Sequence, residues 1–197
     1  MRVRFSRQNP LARLGKVVAG AALTTTFLAL AAAPSTAFAN GLVPRTLGPT
    51  TQAMVEIDQS YAAGTIVIDN ANRTLDFVVS GTRAIRYQIG VGRDGFRWSG
   101  TVRIGRKAEW PDWRPPPEMR ARKPDLPELV PPGPFNPMGA RGIYLYRGDA
   151  DTLYRIHGTN DQSTVGGFES SGCFRMSNAD VIDLYKRVKV GSKVIVK

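Results

Sequence analysis

Thr65-Ile66-Val67-Ile68-Asp69-Asn70-Ala71-Asn72-Arg73-Thr74-Leu75-Asp76-Phe77-Val78-Val79-Ser80-Gly81 reads as a β-hairpin and its exit turn. Thr65 to Ile68 is an unbroken β-branched run, Asp69 to Asn72 has turn composition, and Leu75 to Val79 resumes the extended pattern before Ser80-Gly81 turns the chain again. Working outward, Ile85 to Val91 is a further candidate strand. Short runs at Thr101 to Ile104, Ile143 to Tyr146 and Leu153 to Ile156 continue the pattern, and Lys193 to Val196 follows the Gly191-Ser192 turn as a closing strand. The chain is therefore expected to be mainly β. His157 then falls at the end of a strand, a rigid base from which to project a side chain.

Two segments depart from this rhythm. Pro111 to Pro137 holds ten of the fourteen prolines, with Trp110 and Trp113 at its start and Arg120-Ala121-Arg122-Lys123 inside it. Such density excludes a regular helix or a central strand. It is either a surface excursion of polyproline character or a wall over a functional site, since long ordered loops in compact domains are often functional. Near the other end, Ser177-Asn178-Ala179-Asp180 fits a capping box with Asp in place of Glu, and Val181, Leu184, Tyr185 and Val188 recur at helical spacing.

The first 39 residues read as a secretory leader. Arg2, Arg4, Arg7, Arg13 and Lys16 precede the apolar run Val17 to Ala33, Pro34 ends that run, and Ala37-Phe38-Ala39 has the small-x-small pattern of a cleavage site. Cleavage is expected between Ala39 and Asn40. Residues 40 to 63 are then a polar tail or linker, and residues 64 to 197 a single domain large enough for a core. The alternative is an uncleaved anchor. The whole sequence carries 27 basic and 16 acidic residues, and removing the leader leaves 22 against 16. That excess suits an anionic wall or membrane surface. No aromatic-basic RNA-binding motif and no paired metal-ligand cysteines are seen, so neither nucleic acid nor a metal is implied; one His and one Cys make a poor metal site, and no cofactor is implied. Oligomeric state is not legible.

His157 and Cys173 are the sole histidine and cysteine of the chain. A single thiol in an exported protein cannot close an internal disulfide and is buried or used. Ser170-Ser171-Gly172 before it and Arg175 after it do not resemble a core strand. A thiol with an ordinary pKa of about 8.5 becomes a nucleophile through a neighbouring base or positive field, and imidazole is the usual partner. Gly172 lets the chain turn tightly enough for amides beside Cys173 to face an oxyanion.

The strings His157-Gly158-Thr159-Asn160 and Ser170-Ser171-Gly172-Cys173-Phe174-Arg175-Met176, followed by a helix, resemble the signature of the L,D-transpeptidase catalytic domain, the YkuD family. Asn136-Pro137-Met138-Gly139-Ala140-Arg141 and Ile143-Tyr144-Leu145-Tyr146 are similar to what that family carries before its histidine. The similarity extends over roughly Gly64 to Lys197. It implies a YkuD-like β-sandwich of mixed sheets with a short helix after the cysteine, and a cysteine enzyme that remodels peptidoglycan. By this resemblance Cys173 is the nucleophile and His157 its base, with Gly158 orienting His157 through its carbonyl. Gly172 and Cys173 supply oxyanion amides, Arg175 organises the site or meets a substrate carboxylate unless it is a structural ion-pair partner, Ser171 lines the substrate site, and Asn160 either contacts substrate or holds the loop. The implied reaction attacks the bond between diaminopimelate and D-Ala in a tetrapeptide stem. An amine then resolves the thioester, giving a 3→3 cross-link or attachment of an envelope protein. Ser171 stands where many relatives have His, and Phe174 where Ile is common. A carboxypeptidase or endopeptidase on the same scaffold, and a non-catalytic wall-binding protein, are the alternatives.

Overall fold

The computed structural model describes residues 47–197. The leader and its cleavage point lie outside the described residues. Eleven strands and two helices follow in order. The strands are β1 (Ala53–Glu56), β2 (Ile66–Asp69), β3 (Thr74–Ser80), β4 (Arg83–Gln88), β5 (Val91–Gly92) and β6 (Gly100–Glu109), then helix α1 (Pro117–Arg122). After it come β7 (Arg141–Arg147), β8 (Ala150–His157), a 3-10 turn (Gln162–Thr164), β9 (Phe168–Ser170), β10 (Phe174–Arg175), helix α2 (Asn178–Arg187) and β11 (Lys193–Val196). The mainly β reading holds.

Nine strands form one mixed sheet in the order β1-β4-β3-β2-β11-β6-β7-β8-β10, and β5 pairs with β9 in parallel. The β2-β3 hairpin pairs antiparallel with Ile66 opposite Phe77 and Ile68 opposite Leu75. β11 lies between β2, which it joins in parallel, and β6, which it joins antiparallel. The sheet curls back on itself: Gly90, just beyond β4, exchanges backbone hydrogen bonds of 2.8 and 2.9 Å with Arg175 of β10 at the opposite end. That curl encloses one core, in which Ile66, Ile68, Leu75, Tyr87, Ile104, Ile143, Leu145, Ile156 and Phe174 pack with Val181 and Leu184 of α2 and with Val188, which caps it. Alternation along each strand sends these side chains inward.

Helix α2 begins at Ser177, whose hydroxyl accepts from the Asp180 amide at 3.0 Å. Only half of the expected capping box forms. The fully buried Asp180 carboxylate turns instead to Thr50 and Thr51, accepting from both hydroxyls at 2.9 and 2.8 Å and from the Thr51 amide at 3.1 Å. At the far end, Lys107 of β6 donates to the Tyr185 and Val188 carbonyls at 2.6 and 2.7 Å, meeting the negative end of the helix dipole.

Two expectations are corrected here. Within the stretch 40–63 read as a tail, residues 53–56 form β1 against β4, and residues 47–51 are fastened to α2. A short polar segment can belong to a fold through backbone pairing alone, which leaves little trace in composition. The Pro-rich stretch 111–137 does contain a helix, α1. It is one short turn-and-a-half with Pro117 at its first position, where a missing N–H costs nothing.

Candidate active site

The site is built on the β8-β10 parallel pair, in which Ile156 aligns with Phe174 and His157 with Arg175. Ile156 and Phe174 enter the core, so alternation turns His157, Arg155, Cys173 and Arg175 to the other face. The sequence-predicted histidine, cysteine and arginine are thus brought together. Arg155 joins them, a cation that sequence reading passed over because it sits at an outward position of an ordinary-looking strand.

The His157 Nδ1 lies 2.6 Å from the Gly158 carbonyl, which fixes the proton on Nδ1 and leaves Nε2 to accept. The ring is buried. Burial pushes the imidazole down to about 4, the Arg175 charge adds to the shift, and the Gly158 carbonyl opposes it. His157 is therefore neutral at pH 7. Gly158 cannot carry a side chain, because a Cβ would run into the Asn178 side-chain Oδ1 and the Ala140 backbone nitrogen.

Asn178 was visible in the sequence only as part of a helix start. Its Oδ1 accepts from the amides of Ala140 at 2.8 Å and Thr159 at 3.2 Å, and its Nδ2 donates to the Thr159 carbonyl at 2.8 Å. It ties the segments before β7 and after β8 to α2, and so holds the carbonyl on which His157 is oriented. Asn160, one residue further, is exposed in the same loop.

The cysteine loop has its own scaffold. Gly172 has φ +106°, a region that favours glycine, and a Cβ there would lie 2.5 Å from the Tyr154 ring. The Trp98 indole donates to the Gly172 carbonyl at 2.9 Å and stacks on Tyr154 with centroids 4.7 Å apart. The buried Ser170 hydroxyl donates to the Cys173 carbonyl at 2.6 Å and accepts from the Gly172 amide at 3.1 Å. Of the two amides considered for an oxyanion, that of Gly172 is thus already engaged.

Cys173 is half-buried. Its sulfur sits 3.9 Å from the Leu153 carbonyl, and among the described residues no hydrogen bond joins it to the imidazole. Burial raises the thiol pKa, while a backbone hydrogen bond from Arg155 and the charges of Arg155 and Arg175 oppose the rise. Leu153 takes φ +62° at an irregularity in the β7-β8 pairing. The Asp151 carboxylate accepts from the Leu153 amide at 2.9 Å, and the Thr152 hydroxyl donates to the Leu145 carbonyl at 2.7 Å. Arg155 is paired with Asp151 at 2.6 Å, whereas Arg175 has no ion-pair partner among the described residues. Ser171 is approached by Arg93, with Nη1 3.4 Å from its hydroxyl.

The Pro-rich excursion borders this site. Its last residue, Pro137, offers a backbone carbonyl to His157, and Arg122 of α1 lies 5.3 Å from the Phe96 ring beside the cysteine loop. Among the described residues no cluster of His, Cys, Asp and Glu could hold a metal.

Residues 63–196 match the family model of the L,D-transpeptidase catalytic domain, YkuD. The chain belongs to that family. Two curated relatives of this L,D-transpeptidase family chain are the probable L,D-transpeptidase YbiS of Escherichia coli K12 and a putative L,D-transpeptidase of Fuscovulum blasticum. The first is 38% identical over 138 residues, covering 66% of this chain and 43% of YbiS. The second is 33% identical over 178 residues, 89% of each chain. The L,D-transpeptidase chain described here thus spans less than half the length of YbiS. Among solved structures, a Brucella melitensis protein described as a probable carnitine operon oxidoreductase is 42% identical, covers 78% of this chain and 98% of its own, and superposes with a TM-score of 0.53. The catalytic domain of the Enterococcus faecium L,D-transpeptidase, solved acylated by ertapenem, is 17% identical, covers 73% of this chain and 100% of its own, and has a TM-score of 0.51; it shares the fold.

Proposed function

We propose that this chain is an exported, cysteine-dependent peptidoglycan L,D-transpeptidase working in the periplasm or cell wall after cleavage between Ala39 and Asn40. The observation that carries the chemistry is the β8-β10 pair, which presents a neutral His157 with Nδ1 held on Gly158 and a half-buried Cys173 on one face. As the sulfur leaves the Leu153 carbonyl and attacks the diaminopimelate carbonyl carbon of a tetrapeptide stem, His157 Nε2 takes the thiol proton. A C–S bond forms and the carbonyl becomes an oxyanion. The Cys173 amide is the more available donor to it, because the Gly172 amide must first leave Ser170. The C–N bond then breaks, the imidazolium returns its proton to the departing D-Ala amine, and a thioester remains. An acceptor amine repeats the sequence in reverse, losing its proton to His157 and releasing the thiol. Arg175, uncommitted to any carboxylate of the described residues, suits a substrate carboxylate.

Incubation with disaccharide-tetrapeptide, resolved by mass, tests this. Cross-linked dimer together with free D-Ala is expected. Tripeptide monomer alone would identify a hydrolase, and an unchanged substrate with no carbapenem adduct at Cys173 would indicate a binding protein. Cys173→Ala is expected to abolish the adduct.

A further inference from the structure

Two guanidinium groups at the rim of the site have no task in the reaction just described. Arg93, directly after β5, reaches the Ser171 hydroxyl at 3.4 Å, and its Cζ lies 4.0 Å from the Phe96 ring centroid. Arg122, the last residue of α1, brings its Cζ to 5.3 Å from the same centroid. Phe96 belongs to the wall of the cysteine loop: its carbonyl would lie 3.2 Å from a Cβ on Gly172. Two cations from separate segments therefore meet on one ring beside the residue that precedes the nucleophile.

Neither is neutralised. Among the described residues no carboxylate lies within ion-pair distance of Arg93 or Arg122, and Asp94, next in sequence to Arg93, is taken by Arg97 at 2.7 Å. Solvated arginines need no partner, but converging two of them on one aromatic ring without a counter-charge adds repulsion that an anion would relieve. The long contact to Ser171 leaves most of the five Arg93 donors free, in the fork geometry that suits a carboxylate.

We propose that Arg93 and Arg122 form a carboxylate-reading clamp at the mouth of the site, selecting donor peptides that carry a free carboxylate beyond the attacked carbonyl over the same peptides amidated there. The identity of the substrate rests on the transpeptidase reading, whereas the charge preference can be read on the thiol alone. Cys173 is alkylated in parallel with iodoacetate and iodoacetamide, in the full chain and in R93Q/R122Q. The iodoacetate-to-iodoacetamide rate ratio is expected to fall several-fold in the double variant, to be restored only in part by R93K/R122K, which keeps the charge and loses the fork, and to lose its dependence on these residues at high salt. Taking the ratio cancels a general loss of thiol reactivity.

With peptide donors, the preference of kcat/KM for acid over amide is expected to shrink about tenfold in R93Q/R122Q, the scale of one charged hydrogen-bonding contact. An alkylation ratio equal in the two proteins overturns the clamp. If neither peptide is turned over, the transpeptidase reading fails, and the alkylation ratio still decides the clamp.

Discussion

His157 takes its behaviour from burial more than from any single neighbour, and that makes it measurable through stability. Its folded pKa of about 4 lies below the ordinary 6.5 of an unfolded chain. Between those values the unfolded chain binds a proton that the folded one does not, so stability falls as pH drops from 6.5 to 4 and is unaffected by this group above that window. The full loss is about 3 kcal/mol. Urea midpoints at pH 4.5 and 7.5 should therefore differ more in the wild type than in His157→Gln; equal differences would refute the buried neutral ring. The thiol gives a second expectation. With its pKa raised and no hydrogen bond to the imidazole, Cys173 rests as a thiol, so its alkylation rate by iodoacetamide should climb with pH through 8 without a plateau near neutrality. A plateau between pH 5 and 7 would instead reveal a preformed ion pair.

At the scale of elements, the site is where two strands, one irregularity and one helix start coincide. Asn178→Ala removes three buried hydrogen bonds between α2 and the segments around Ala140 and Thr159. A loss of about 2–4 kcal/mol is expected by denaturant titration, with activity of the remaining folded protein reduced because Gly158 no longer holds the imidazole. Gly172→Ala should leave far-UV circular dichroism intact and sharply lower acylation, since both its φ and the Tyr154 ring oppose a side chain. Much at this scale was legible in the sequence: short apolar and β-branched runs between turn signals located β2, β3, β7 and β8, and the Ser-Gly-Cys context marked the loop. The turn at Leu153 was not, because Thr152 and Leu153 look like ordinary strand residues until the Leu145 carbonyl and the Asp151 carboxylate are placed beside them. The task of Asn178 depends on partners 19 and 38 positions away, which no local pattern reports.

Across the whole molecule, what the sequence left unread is mostly closure. The return of Gly90 to Arg175 and the seat of residues 47–51 on Asp180 both join distant segments, and neither leaves a periodic trace. Thr51→Val takes one donor from a fully buried carboxylate and one acceptor from the Gln88 amide, and should lower stability by about 1–3 kcal/mol in thermal or urea melts. The position of β11 has a different kind of consequence. In the nine-stranded sheet β1 to β4 lie on one side of it and β6, β7, β8 and β10 on the other, yet it is made after all of them. Until β11 is made, the emerging chain therefore holds two half-sheets whose facing edges, β2 and β6, are unpaired. Completion of the sheet waits on β11: refolding is slow in the manner of high contact order, and chains that lack β11 are the ones a chaperone or a protease would find.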